Sequence, residues 1–346
     1  HALSLFRELE EKIGEANTLQ ALGDLAIRMD DLNEAKLKHQ DALEIFREKQ
    51  AKIGEANSLQ ALGNIAVRND ELVEANSNYI DALRLFKETD ARIGEANTLK
   101  SVGDLLIRMN RLGESEKKYL SALKIYRNIE ARIGEANTLK ELGYYFSITK
   151  DSEQARDIYQ DALEIFIEVD DRLGTSNTIR SLGDLELKTL NLSKASELYN
   201  EAQKIYREIN DNLGEANATL SIGQIELLNF NFETALLLNV KAKSLYEITG
   251  DSEGVADSIR VRSLYYALSG ESDKCLLKLQ ECYEYCVKVN YSIATTDWLI
   301  FYAEFLSKEG KQDESDLFLE YAEKFAKHTN NPAFDERINV IKEGKK

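Results

Sequence analysis

Proline is all but missing from this chain. A single Pro332 stands among 346 residues, so over residues 1–331 no pyrrolidine ring ends or kinks a helix. Histidine is nearly as scarce: His1, His39 and His328 lie far apart, without cysteine or carboxylate partners at a ligand spacing. Metal-assisted and Ser-His chemistry therefore lack a candidate. Glycines occur singly, which excludes a phosphate-cradling loop of the P-loop or dinucleotide type. The three cysteines make no disulfide framework; Cys275 and Cys282 read as compact apolar fillers, with Cys286 four residues further on. A reducing, cytoplasmic compartment suits them. No apolar run reaches the roughly 18 residues of a membrane span, and the richest, Trp298 to Leu306, is broken by Glu304. Positive charge is in deficit as well. With 44 Lys and Arg against 61 Asp and Glu the net charge is −17, which disfavours nucleic acid and anionic membrane as partners. Among so many carboxylates a cluster marks a solvated face, and no enzyme and no cofactor is read here.

What the chain does have is a beat of 40 residues, repeated eight times without insertion or deletion. Small residues fall at Gly23, Gly63, Gly103, Gly143, Gly183, Gly223, Ser263 and Ala303, and again at Ala35, Ala75, Ser115, Ala155, Ala195, Ala235, Cys275 and Ser315. A third set follows seven residues later, from Ala42 through Ala202 to Cys282 and Ala322. A fixed period of this length marks a solenoid, in which each unit buries its apolar face against its neighbours. The 43% of hydrophobic residues suffices for a continuous core of that kind.

Repeat three, residues 93–132, shows the unit. Ala96, Leu99, Val102, Leu106 and Met109 recur every three or four positions, the stripe of one helix. A polar stretch, Asn110 to Glu114, interrupts it before a second stripe runs from Tyr119 through Ala122, Leu123, Ile125 and Tyr126 to Ile129. Two antiparallel helices joined by a short turn follow. Five of the eight units open on Gly-Glu: Gly14-Glu15, Gly54-Glu55, Gly94-Glu95, Gly134-Glu135 and Gly214-Glu215. Here glycine is expected to turn the chain and glutamate to meet the positive end of the next helix.

The spacing of small residue, twelve on, then seven on, with Tyr79, Tyr119, Tyr159 and Tyr199 three before the last alanine, resembles the tetratricopeptide repeat. Leu22-Gly23, Ala35 and Ala42 quote the motif in repeat one, and the resemblance runs to about residue 329. It implies an all-α fold: an α-solenoid of eight antiparallel helix pairs in a right-handed superhelix, closed by a C-terminal capping helix. Two departures stand out. The family's proline near the end of the second helix is replaced by Arg47, Lys87 and Arg127, and the unit has 40 residues instead of the common 34, so the second helix is expected to be longer by more than a turn. Units of this length are similar to those of spindle-orientation adaptors and of the C-terminal arms of bacterial and fungal nucleotide-switch receptors. Residues 1–12 align with 41–52 and read as the second helix of a preceding repeat, residues 13–329 as the eight units, and residues 330–346 as a turn, a cap and a basic tail.

In the family the first helix of each unit lines the concave side. Counting from Ala16, the resemblance points to positions two, five, nine, twelve and thirteen. Position two is an asparagine ladder, Asn17, Asn57, Asn97, Asn137, Asn177 and Asn217, able to bond a bound peptide backbone or, equally, its own helix. Over repeats one to five, positions five and thirteen hold seven cations: Lys100, Lys140, Arg180, Arg28, Arg68, Arg108 and Lys188. Position nine returns Asp24, Asp104 and Asp184 beside Tyr144, which leaves the strip at +4 in a chain of −17. The alternative is mutual neutralisation of Asp24 with Arg28, Asp104 with Arg108 and Asp184 with Lys188, worth roughly 0.2–0.5 kcal/mol per pair. In repeats six and seven the strip turns apolar at Leu220, Leu227, Leu228, Leu264 and Leu268, an anchor for a partner or a surface covered by the chain itself. These features describe a protein-binding scaffold for a peptide or protein, acidic with an apolar anchor. A sensor arm of a larger signalling protein and a structural solenoid that self-associates through residues 1–12 are the other two readings.

Overall fold

The computed structural model describes residues 2–29, 31–149, 151–289, 293–329 and 332–343. Among them are eighteen α-helices and no strand. They fall into two compact bodies, residues 1–149 and 150–346, which divide the fourth period between its two helices.

The first body holds α1 (Ala2–Glu8), α2 (Lys12–Arg28), α3 (Leu32–Glu48), α4 (Lys52–Arg68), α5 (Leu72–Glu88), α6 (Arg92–Arg108), α7 (Leu112–Asn128) and α8 (Arg132–Ile148). In the second are α9 (Ser152–Glu168), α10 (Arg172–Lys188), α11 (Leu192–Glu208), α12 (Asn212–Leu228), α13 (Phe232–Thr249), α14 (Ser252–Leu268), α15 (Ser272–Val289), α16 (Ile293–Lys308), α17 (Gln312–Thr329) and α18 (Pro332–Glu343). The two helices of a unit are nearly equal in length, with the second longer by one or two residues in repeats six to eight. In repeat one, α2 and α3 both have 17 residues, as do α6 and α7 in repeat three.

Without proline, the helices stop by backbone geometry. At the end of α3 the Ala51 N–H donates to Phe46 O at 2.8 Å and the Gln50 N–H to Arg47 O at 3.1 Å, while Gln50 takes the left-handed conformation at φ +53°. This is a Schellman ending, which normally carries glycine at its left-handed residue. Here Asp90, Glu130, Asp170 and Asn210 hold the equivalent places between repeats, and Asp70, Asn110, Leu190 and Phe230 those within repeats. Asp31, Asp171 and Asp211 then cap the helices that follow through their carboxylates.

The Gly-Glu pair does not form the turn. Gly54 and Gly94 are the third residues of α4 and α6, and glycine is needed there because an aromatic ring of the preceding repeat fills the space of a side chain. A Cβ on Gly54 would lie 2.5 Å from Phe46 Cδ1, and one on Gly94 would lie 2.4 Å from Phe86 Cε1. The motif glycine is clasped in the same way: a Cβ on Gly63 or Gly103 would lie 2.5 Å from the ring of Tyr79 or Tyr119. Each glutamate meets the cation that stands where the family has proline. Arg47 Nε is 3.0 Å from Glu55, Arg127 Nε 2.8 Å from Glu135 and Arg207 Nε 2.9 Å from Glu215.

Within each body the first helices of successive repeats pack on one another, α2 through α8 by twos and α10 through α18 by twos, and so form an inner row. In the second body α18 ends that row, burying Phe334 and Ile338 against the core that includes Ile300, Phe318 and Phe325. Residues 330–331 and 344–346 of the expected turn and basic tail lie outside the described residues.

Candidate functional site

At 100° per residue, the second residue of each inner helix and positions two, five, nine and thirteen share one face. In repeat one these are Ile13, Asn17, Gln20, Asp24 and Arg28.

In the first body, Asn17, Asn57 and Asn97 are exposed and Asn137 is half-buried. Hydroxyls from the second helices staple this face. Tyr126 OH donates to Asn97 Oδ1, Tyr79 OH to Asn64 Oδ1 at 2.7 Å and Tyr119 OH to Asp104 Oδ1 at 2.7 Å. Where the ring is Phe46 or Phe86, Asn17 and Asn57 have no hydroxyl to accept. Asn137 follows the local alternative and donates to Ile133 O at 2.9 Å. The expected neutralising pairs are rearranged: Asp104 takes Lys100 at 3.3 Å, four residues before it, and Asp24 faces the buried ring of His39, whose Nε2 is 3.5 Å away. Arg68 and Arg108 reach back to the previous inner helix and donate to Ile27 O at 3.3 Å and Val67 O at 3.2 Å. Lys140 pairs with Glu141 at 3.0 Å, Arg28 is exposed, and Tyr144 keeps 43% of its surface in water. Burial disfavours the charge on Lys100, yet Asp104 and Glu141 outweigh it and hold its pKa above the ordinary value.

One feature of this face goes unread in the sequence. Ile53, Ile93 and Ile133 are 51%, 61% and 53% exposed, four residues before the asparagines, and form an aliphatic row beside the ladder. Their recurrence at 40 residues was the available signal.

In the second body, Tyr206 OH donates to Asn177 Oδ1 at 2.7 Å and Tyr246 OH to Asn217 Oδ1 at 2.8 Å. Arg180 pairs with Asp184 at 3.2 Å, and Asp184 also accepts from Tyr199 at 2.7 Å. Lys188 Nζ lies 3.0 Å from Asp297 of α16, to which Arg337 of α18 also donates. Burial alone would raise the Asp297 pKa, but the two cations hold it down to about 2. Arg260 is buried, bonded by Asp257 and by Tyr302 OH, with its guanidinium 5.2 Å from the Trp298 ring centre. The apolar anchor is corrected outright. Leu220, Leu227, Leu228, Leu264 and Leu268 are 0–5% exposed, because neighbouring inner helices and the segments down to α18 close over them in one core. They present no open surface.

Among the described residues no helix is long and apolar enough to cross a membrane. A family model described as tetratricopeptide repeat matches residues 134–208. No curated protein matches. Solved structures of similar fold include aspartyl phosphate phosphatase F from Bacillus subtilis, at TM-score 0.70 and 14% identity, with 90% of this chain and 93% of that one covered. A Rap conjugation gene regulator of the plasmid pLS20, solved with the Phr* peptide, aligns at TM-score 0.69 and 13% identity over 91% and 96% of the two chains. A signal transduction ATPase from Pyrococcus horikoshii with a tetratricopeptide repeat sensor aligns at TM-score 0.56 and 17% identity, over 96% of this chain and 50% of the other. The period, the paired helices, the glycine clasps and the family match agree: the chain is a repeat protein of the tetratricopeptide type.

Proposed function

We propose that the protein is a non-enzymatic interaction scaffold of the cytoplasm, which binds an acidic peptide segment along the inner row of its first body. The observation that carries this reading is the composition of that face. Exposed asparagines, the cations Arg28, Arg68, Arg108, Lys100 and Lys140, and the aliphatic row of Ile53, Ile93 and Ile133 lie side by side in a chain of net charge −17. Amides serve a peptide backbone, cations its carboxylates and isoleucines its apolar side chains. The peptide complex of the pLS20 regulator supports the peptide as ligand class. The three cysteines are free thiols, as a reducing compartment would keep them. A second reading, a sensor arm in a larger signalling protein, draws on the sensor of the P. horikoshii ATPase, which this chain matches over half of that protein's length.

The test compares Lys100→Glu with Arg108→Glu and Lys140→Glu against outer-helix exchanges such as Lys38→Glu and Lys124→Glu. Fluorescence anisotropy with a labelled acidic peptide library reads the outcome. Inner-row exchanges weaken capture at least tenfold and outer exchanges leave it unchanged; equal losses from both sets refute the assignment.

A further inference from the structure

Repeats one to six carry asparagine at the second inner position, whereas repeats seven and eight carry Asp257 and Asp297. Asp257 pairs with Arg260 of its own helix, whereas Asp297 meets two cations that arrive from other elements. Lys188 belongs to α10 and its Nζ stands 3.0 Å from Asp297 Oδ2; Arg337 belongs to α18 and its Nη1 meets Oδ1. In the inner row α12 and α14 come between α10 and α16. The Lys188 pair, 109 residues apart in sequence, therefore reaches across the inner face of the second body. The side chains of Lys188, Arg337 and Asp297 keep 27%, 32% and 26% of their surfaces in water. Solvent and a solute thus have access to the cluster, although it sits beside the core.

The face of α10 that carries Lys188 also carries Asp184, whose carboxylate is engaged by Arg180 and Tyr199. Asn177 and Asn217 have their Oδ1 atoms engaged by tyrosine hydroxyls, which leaves their NH2 groups to donate. Arg180 stands two helical turns before Lys188 on the same face of α10. Two cations closing on one carboxylate is the arrangement by which a protein holds the acid of a ligand.

The geometry points to a carboxylate seat: Lys188 and Arg337 bind the carboxylate of an acidic ligand, and Asp297 occupies that seat until the ligand displaces it. The inference extends the peptide reading to the second body and names the chemistry of the group recognised there. Exchange of one carboxylate for another keeps the charge-assisted bonds of both cations, and the released Asp297 is open enough to hydrate. Occupancy is coupled to α18, because Arg337 trades its hold on α16 for a hold on the ligand.

Trp298 is the chain's one tryptophan, follows Asp297 directly and lies beside Arg260, so its emission reports the exchange. Sodium glutarate is titrated into the full chain, with sodium chloride at matched ionic strength as reference. The wild type shows a saturable change in Trp298 emission with glutarate. Asp297→Asn, which installs the residue that repeats one to six carry, shows the same change at a midpoint at least tenfold lower. Lys188→Met with Arg337→Met responds to glutarate only as to chloride, and far-ultraviolet circular dichroism verifies that each variant is folded. An unmoved midpoint in Asp297→Asn, or a glutarate response equal to that of chloride in all three proteins, overturns the seat. Competition by the peptide Ac-Leu-Glu-Asp-Leu-Glu separates the two readings. A peptide that displaces glutarate supports both, whereas saturable glutarate binding without competition keeps the seat and removes the peptide from this body.

Discussion

Arg127 Nε lies 2.8 Å from Glu135 Oε1, so the last turn of α7 is tied to the first turn of α8 by a carboxylate that is itself buried. Arg132 adds a second donor at 2.7 Å. The same joint recurs as Arg47 with Glu55 and Arg207 with Glu215. Glu135→Ala strands neither arginine, since both are at least 40% exposed and hydrate freely. The loss is therefore expected near the lower end of the 1.5–3 kcal/mol typical of charged hydrogen bonds, about 1.5 kcal/mol. Urea unfolding followed by circular dichroism measures it, and no change in midpoint would show that the joint is decorative.

Two glycines give opposite expectations. Gly94→Ala places a methyl 2.4 Å from the Phe86 ring, a buried side chain held between repeats, and costs about 1–3 kcal/mol by overpacking. Gly113 in the first turn of α7 has nothing within 4 Å of an added Cβ. Gly113→Ala reduces backbone freedom without a clash and stabilises by up to about 0.5–1 kcal/mol. Thermal melts of the two variants should move in opposite directions.

Leu190 turns the chain at φ +59°. A left-handed leucine costs about 1–2 kcal/mol, whereas glycine would cost about 0.5–1 kcal/mol of extra unfolded-state entropy. Strain relief wins, and Leu190→Gly is expected to raise the midpoint of unfolding by an amount equivalent to about 0.5–1 kcal/mol. A lower midpoint would mean that the partly exposed side chain contributes more by packing than its conformation costs.

Stability should fall at both ends of the pH scale, for opposite reasons. Asp297 is held down to about 2 against about 3.9 in an unfolded chain, so its contribution is complete above pH 4 and is lost as pH falls from about 4 to about 2. Burial pushes Tyr126 and Tyr302 up to about 12 from about 10 unfolded; their contribution is complete below pH 10 and is lost as pH rises toward 12. Melting temperature against pH, with phenolate absorbance at about 295 nm, checks the alkaline limb. The variant carrying Lys188→Met and Arg337→Met should flatten the acid limb.

The helices were legible because a stripe every three or four residues, repeated every 40, leaves one arrangement of paired helices. What the glycines do was not. Gly54 looked like punctuation, and only the position of Phe46 in the preceding repeat reveals that it is a socket for a ring. The inner face was legible in part. Its residue types and register follow from counting, but counting cannot choose between Lys100 and Arg108 as partner of Asp104, because both lie four residues away. Leu220 and Leu264 read equally as an anchor or as a surface covered by the chain, because their cover comes from other helices, and the Lys188 to Asp297 pair joins residues 109 apart. Such contacts leave no local pattern.

The joint between repeats has a further consequence. Phe46 on Gly54 with Arg47 on Glu55 is chemically the same lock as Phe86 on Gly94 with Lys87 on Glu95. Excision of residues 53–92 would bring Phe46 onto Gly94 and Arg47 onto Glu95, a joint of the same make. Length in this architecture is thus an interchangeable quantity, and recombination can add or drop a whole period without inventing a new interface.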